Sequence, residues 1–333
     1  MEKVVIALDA MGGDYAPEQT VKGAVEAVNS SDEIRVILVG KQDMIAKELE
    51  KYEYAKEDIE VVHASEIIDM GDVPTVAIKD KKDSSLVVAM RLVREGKADA
   101  LVSAGSTGAV LVGGQLVVGR LKGIKRPPLA PFIPTTKGFS LLIDCGANVD
   151  ARPNHLVQFA QMGSIYYENV MGKKNPTVAL LNIGTEEEKG NQLVKDTKPL
   201  MKECKNINYI GSVEARELVS GAADVIVCEA FVGNVVLKFF EGLALTLFGS
   251  LKEGLMSSTR TKLGALLVKP ALKGLKNQFD TSSQGGAPLL GLKGLVVKAH
   301  GNSSSKEIEI ALKQCISFKK QKINEKIKES ICD

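Results

Sequence analysis

A chain of 333 residues with a formal net charge of +2 is nearly neutral for its length, which argues against a global role in binding nucleic acid and leaves any basic surface to be local. Aromatic residues make up only 5% and tryptophan is absent, while glycine, valine, alanine and leucine are abundant, as suits strands and helices packed closely through small side chains. The length exceeds that of a usual single core and predicts one large α/β domain with an excursion, or two domains.

The cysteines, Cys145, Cys204, Cys228, Cys315 and Cys332, are odd in number, scattered and without a C-x-x-C pair, a pattern of reduced thiols in a cytosolic protein. Glu2 and Asp9 bracket too short an apolar run for a signal peptide, so a cytoplasmic location is expected.

The first element in chain order is the apolar run Val4 to Leu8, which ends in Asp9 and opens into "DAMGGDYAP". Gly12, Gly13 and Asp14 resemble a phosphate loop but fit neither G-x-G-x-x-G nor G-x-x-x-x-G-K-[ST], and Pro17 starts the helix "PEQTVKGAVEAVNS". The strand "IRVILVG", the helix "SSLVVAMRLVREGKA" and the strand "DALVSAG" follow. Ala100 to Gly119 is uncharged and long enough for a bilayer crossing, yet its glycines, serines, Thr107 and Gln115 predict strand, loop and helix instead. The basic, proline-rich stretch Arg120 to Thr136 is expected to cross between halves of the sheet.

Further strands are "SLLIDCG", "TVALLNIG", "ADVIVCEA" and "GLVVKAHG", with helices "NHLVQFAQMGSIYYENVMG" and "EKGNQLVKDTKPLMKEC" between them. This alternation predicts a largely parallel sheet covered by helices on both faces. Phe239 to Asp280 departs from it as an amphipathic helical hairpin, carrying Lys252, Arg260, Lys262, Lys269, Lys273 and Lys276 among leucines. Such a segment lies on an anionic membrane surface or pairs with its copy across a dimer axis. The closing stretch "KEIEIALKQCISFKKQKINEKIKES" reads as one helix with solvated charges.

Polar, small-residue clusters end almost every strand: "DAMGGD", "SAGSTG", "DCGANVD", "NIGTEEEKGN", "EAFVGN" and "AHGNSSS". In an open parallel sheet the ligand crevice lies beyond the carboxyl ends of the strands. Singly, Gly108, Gly146, Gly184 and Gly233 suit turns, and Asp14, Ser106, Asn148 and Asn234 suit helix caps. Recurrence at six strand ends favours a common site for the group. Glycine-rich loops that open helices favour an anion, and a phosphate fits better than a dinucleotide. No nucleophile elbow or metal spacing is present, and of His63, His155 and His300 only His300 ends a strand beside the crevice. A substrate that brings its own nucleophile resolves this: inorganic phosphate, held and oriented, attacks a thioester whose thiolate leaves readily.

In order and combination, "DAMGGDYAP", "SAGSTGA", "DCGANVD", "LLNIGTEEEKGN", "CEAFVGNVVLK" and "GGAPLLGLKGLVVKAHGNSS" resemble the bacterial phosphate acyltransferases of phospholipid synthesis, the acyl-acyl carrier protein:phosphate transacylases. The resemblance covers nearly the whole chain. It implies a three-layer α/β/α fold like the isocitrate and isopropylmalate dehydrogenases and similar to phosphotransacetylases. It also implies acyl transfer from acyl carrier protein to inorganic phosphate, an acyl phosphate passed on to a membrane glycerol-3-phosphate acyltransferase, a homodimer, and peripheral membrane association. No cofactor, metal or nucleic acid is implied. Ser106, Cys145, Thr185 and the Glu229-Ala230 pair depart from the family pattern.

On that footing the N–H groups of Gly12, Gly13, Gly105 and Gly108, the hydroxyls of Ser103 and Thr107, and Lys189 as the cation are expected to hold phosphate. Asn148, Asn182 or Asn234 would polarise the thioester oxygen, and His300 would protonate the departing thiolate. Asp150, Asn191 and Lys238 complete the expected site. Asp9 and Asp14 would orient their loop by accepting N–H groups or pair with a cation such as Lys189. The cluster Arg120, Lys122, Lys125 and Arg126 suits docking of the acidic carrier protein. The rivals are a metal- and NAD-dependent dehydrogenase of the same fold, and a non-catalytic acyl carrier protein-binding module.

Overall fold

The computed structural model describes residues 3–279 and 285–331. Glu2, the Asp280 end of the expected excursion and Cys332 lie outside the described residues, as does the side chain of Lys276. The strands are β1 (Val4–Asp9), β2 (Ile34–Gly40), β3 (Ile59–His63), β4 (Ala100–Ser103), β5 (Phe132–Thr135), β6 (Gly138–Ile143), β7 (Thr177–Asn182), β8 (Asn208–Glu214), β9 (Val225–Val227), β10 (Ala287–Leu289) and β11 (Leu295–Lys298). The helices are α1 (Glu18–Asn29), α2 (Gln42–Leu49), α3 (Pro74–Asp80), α4 (Ser85–Arg94), α5 (Thr107–Gly113), α6 (Pro153–Met171), α7 (Gln192–Glu203), α8 (Ala230–Met256), α9 (Thr259–Gln278), α10 (Ser305–Lys320) and α11 (Ile323–Ile331).

Among the described residues the strands form two sheets, ordered β10-β11-β4-β1-β2-β3 and β5-β6-β9-β7-β8. Neighbours run parallel except at the β10–β11 and β5–β6 edges. Successive residues of a strand face opposite layers. Ile6 and Leu8 of β1 join Val21, Ala24 and Ile308 of α1 and α10, whereas Ala7 joins Leu86, Met90 and Val110 of α4 and α5. In the second sheet Leu141, Ile143 and Val225 pack on Phe159 and Tyr166 of α6, and Leu142 and Ile226 share the other face with Leu237 of α8. The layering is that of an α/β/α fold, built on two sheets rather than one continuous sheet.

The two sheets meet at their antiparallel edges through the proline-rich crossover. Ala130 N–H donates to Pro288 O at 3.0 Å, and Leu290 N–H to Pro128 O at 3.0 Å. Asp144, just past β6, anchors this joint: Oδ1 accepts from Leu129 N–H (2.9 Å) and Ala147 N–H (3.2 Å), and Oδ2 from Asn148 Nδ2 (2.7 Å).

Ala100 to Gly119 is a buried strand, a loop and a helical segment continued by a π-turn over Gly114–Val118. The closing stretch differs from its expectation. It is two helices, parted at Lys322 with φ 51°, and its charges are not all solvated. Gly23 lets α1 approach α10 closely, since an added Cβ would lie 2.6 Å from Ile308 Cβ. Beside this contact, buried Glu309 accepts from Ser30 Oγ (2.9 Å), Lys306 (2.6 Å) and Lys313 (2.7 Å). Burial alone would raise its carboxyl, but these partners hold it down to about 2.

The helical hairpin is formed by α8 and α9. Ala230, Gly233 and Leu237 are the buried residues of α8, so the helix leaves the body just where the excursion is expected to begin. Beyond it Phe239, Leu245, Leu263, Leu266 and Leu267 are exposed.

Candidate active site

The loops after β1, β4 and β11, neighbours in the first sheet, close on one another. Asp14 N–H donates to Gly301 O at 2.7 Å, and Ala299 N–H to Ser103 O at 2.9 Å. A Cβ on Gly12 would lie 2.4 Å from Asp9 Oδ2 and 2.8 Å from Gly105 N, and one on Gly13 (φ +108°) 3.0 Å from Gly301 O. These glycines therefore permit loop-on-loop approach. Gly108 likewise serves packing, because a Cβ there would meet Pro74 Cγ of α3 at 2.5 Å.

Asp9 is buried beneath these loops. Its Oδ2 accepts from Ser103 Oγ at 2.7 Å, and Ser103 Oγ accepts from Gly105 N–H at 3.1 Å. Two expected phosphate ligands, the Ser103 hydroxyl and the Gly105 N–H, are thus engaged inside the protein. Burial pushes the Asp9 carboxyl up, against bonds from Ser85, Ser103, Met11 and Gly12. Asp9 orients its loop, as the sequence suggests, but lies too deep to touch a ligand.

The second sheet supplies the opposite wall. A Cβ on Gly233 would fall 1.9 Å from Asp144 O, so glycine alone lets the first turn of α8 seat on the end of β6. Glu229, one of the departures from the family pattern, caps this helix by accepting from Phe231 N–H (2.6 Å) and Val232 N–H (2.8 Å). The cap directs Asn234, Leu237, Lys238 and Glu241, spaced as one helical face, toward β11.

Between them lies a pocket of about 90 Å³ whose polar walls are Thr107, Asn234, Lys238, Glu241, Lys298 and His300 and whose apolar walls include Leu129, Pro131, Phe132 and Leu237. Lys298, the last residue of β11, is buried, with its Nζ donating to Ala104 O (3.4 Å) and Ala299 O. Burial lowers its pKa to about 8, with Lys238 acting the same way and Asp9 and Asp14 opposing. The cation these two acids face is therefore Lys298, where the sequence suggests Lys189. Glu241 bonds Lys238 at 2.8 Å and lies 3.3 Å from His300 Nε2, a contact close enough for an ion pair but without hydrogen-bond alignment. Partial burial lowers the His300 pKa, Glu241 opposes this, and Lys238 and Lys298 reinforce it. The net effect favours the neutral imidazole.

Of the expected site residues, the structure brings Thr107, Asn234, Lys238 and His300 to this pocket. Asn148 is diverted: its Nδ2 donates to Pro127 O (3.0 Å) and Asp144 Oδ2 (2.7 Å). Asn182 is also committed, donating to Gly184 O (2.9 Å) and Lys189 O (3.1 Å), which folds the loop after β7 on itself. Asn191 caps α7 through Val194 N–H at 2.9 Å. Lys189 and Asp150 are exposed and do not line the pocket, and Asp14 is exposed at its rim beside Gly301. Lys298 and Glu241 are the residues that sequence reasoning passed over. Their signals were a lysine inside the apolar run of a parallel strand, and an acid two helical turns beyond Asn234. Among the described residues no three His, Cys, Asp or Glu side chains gather as a metal would need.

A family model described as "Fatty acid synthesis protein" matches residues 4–326. A phosphate acyltransferase of Alkaliphilus oremlandii is 55% identical over 326 residues, covering 98% of this chain and 97% of the relative. The chain belongs to the phosphate acyltransferase family. A phosphate acyltransferase of Clostridioides difficile is 50% identical, covering 98% of this chain and 96% of that one. Membership makes the chain an enzyme that transfers an acyl group to phosphate, and sets aside the dehydrogenase and the non-catalytic binding module. A phosphotransacetylase from Streptococcus pyogenes superposes with a TM-score of 0.65 at 17% identity, covering 94% of this chain and 93% of that chain. A 4-hydroxythreonine-4-phosphate dehydrogenase from Burkholderia phymatum does so at 0.50 and 13% identity, covering 95% and 98%. At those identities the likeness is one of fold, the dehydrogenase-like α/β arrangement shared by phosphotransacylases.

Proposed function

We propose that the phosphate acyltransferase takes a fatty acyl chain from acyl-acyl carrier protein and passes it to inorganic phosphate in the pocket between β11 and α8. The observation that carries this reading is the placement of Lys298, Lys238 and His300 around one small cavity with an apolar wall. The two ammonium groups hold hydrogen phosphate, with the Thr107 hydroxyl as a further donor. Asn234, the asparagine that lines the pocket, polarises the thioester oxygen. A phosphate oxygen attacks the acyl carbon, the acyl–sulfur bond breaks, and the products are acyl phosphate and a free thiol. The proton lost by phosphate ends on the thiolate. A neutral His300 takes it during attack and hands it on, rather than starting as the acid.

The exposed cluster Arg120, Lys122, Lys125 and Arg126 supports docking of the acidic carrier protein. The α8–α9 hairpin, with exposed leucines interleaved with Lys252, Arg260, Lys262, Lys269 and Lys273, supports a homodimer whose hairpins rest on an anionic membrane. The enzyme on this reading is cytoplasmic and peripherally membrane-bound, and releases its reactive product beside a membrane glycerol-3-phosphate acyltransferase.

Phosphate-dependent thiol release from acyl-acyl carrier protein tests the core of this. Lys298→Met and Asn234→Ala are each expected to lose about a hundredfold or more in kcat/KM. In the wild type the Lys298 charge is present below pH 8 and is lost as pH rises through about 8, so KM for phosphate climbs above that pH. Full activity in both variants would remove the pocket from the chemistry.

A further inference from the structure

A pocket of about 90 Å³ holds only a handful of water-sized groups, at roughly 10–15 Å³ each. Phosphate and the thioester carbon, oxygen and sulfur fill it. The rest of a fatty chain then lies outside, and on the reading that Asn234 holds the thioester oxygen it leaves past the wall that carries Asn234. That wall is bordered by apolar side chains left in water. The strands β6, β9 and β7 are neighbours in that order, and each is followed by one. Val149 is 60% exposed after β6, Phe231 64% after β9, and Ile183 79% after β7.

One hydrogen bond and one helical spacing relate Val149 and Phe231 to the site, and Ile183 follows β7, the neighbour of β9. Ala230 N–H donates to Asn148 O at 3.1 Å, which sets Phe231 beside Val149. On α8, Phe231 and Asn234 are three residues apart and share a face, with Val235, also exposed, next along the surface. At a strand spacing of about 4.8 Å the carboxyl ends of β6, β9 and β7, from which these residues follow, span on the order of 10 Å. Isolated exposed apolar residues are ordinary, but three on the segments that follow adjacent strands, beginning beside Asn234 of the pocket wall, form a surface an alkyl chain would cover.

We propose that Val149, Phe231 and Ile183 form the track on which the substrate's acyl chain lies, and that this row sets the preference for chain length. The inference rests on the acyl-transfer reading above. The occupant is the alkyl chain rather than the carrier's pantetheine arm, because the three exposed side chains of the row are all apolar.

Thioesters that share one small thiol carrier and differ in acyl length isolate the track. In phosphate-dependent thiol release, KM of the wild type should fall steadily from butyryl to palmitoyl. Phe231→Ser and Ile183→Ser, both on exposed side chains, should raise KM for the palmitoyl thioester about tenfold and change the butyryl value less than twofold. An equal loss for both substrates, or no change for either, would overturn the proposal. So would a shift of either variant toward monomer in sedimentation, which would assign the row to a second copy of the chain. Wild-type protein that releases no thiol from these thioesters or from acyl-acyl carrier protein would refute the acyl-transfer reading itself, an outcome distinct from a flat length dependence in an active enzyme.

Discussion

Lys298 and Asp144 are both ionisable groups taken out of water at strand ends, and the protein treats them differently. Burial pulls the Lys298 pKa down to about 8, with Asp9 and Asp14 opposing, and its ammonium donates hydrogen bonds to two carbonyls. Asp144 is pushed up to about 6 by burial, although Leu129, Asn148 and Ala147 all donate to it. Its folded pKa exceeds the ordinary carboxylate value, so its favourable contribution is greatest below pH 4 and is lost as pH rises through about 6. Asp144→Asn removes that dependence. Urea unfolding at pH 5 and pH 7 should show the variant gaining, relative to the wild type, about 1 kcal/mol of stability between the two pH values. Identical increments would show that the carboxylate titrates normally. The residue scale is also where the sequence is hardest to read. Asn148, Asn182 and Asn234 are equivalent as letters at strand ends, and only their partners separate two braces from one free amide.

At the scale of elements, α8 joins the chemistry to the excursion. Its first turns hold Asn234 and Lys238 against the pocket, and the same helix runs on into the exposed hairpin. If the hairpin anchors the enzyme, Leu263→Glu combined with Leu267→Glu abolishes flotation with anionic liposomes and leaves thiol release from a soluble thioester within twofold of wild type. Flotation equal to wild type would assign the anchor elsewhere. Strand legibility also follows position. Every run read as a strand in the sequence is an inner strand, whereas β3, β5, β8 and β10, the four edges, went unread. Inner parallel strands are covered on both faces and need unbroken apolar runs. An edge lacks one neighbour and tolerates polar residues, Gly211 in β8, and the prolines of β5 and β10.

For the whole molecule, the site exists because two sheets are joined edge to edge. The first sheet contributes Lys298, His300 and Thr107, the second contributes Asn234, Lys238 and Glu241 through α8, and the crossover between them supplies Leu129, Pro131 and Phe132. The basic cluster Arg120 to Arg126 begins that same crossover, with Arg120 paired to Leu292 ahead of β11. Charge reversal at Arg126 should raise KM for acyl-acyl carrier protein several-fold at low salt, less at high salt, and leave KM for a small acyl thioester unchanged. An unaltered KM for the carrier protein would place docking on another surface.

The sequence by itself determined the inner strands, the helices that cover them, the glycine loops at the strand ends, and a family resemblance strong enough to name the reaction class. These are local properties, carried by periodicity and by short motifs. The tertiary structure alone decided that Asp9 and Ser103 bond each other, that Asn182 closes its own loop, and that Lys298 rather than Lys189 stands in the pocket. A side chain is open to a substrate only when the protein's own acceptors leave it a donor to spare. For Ser103 and Asn148 the competing acceptors, Asp9 and Pro127, become neighbours only when the chain has folded.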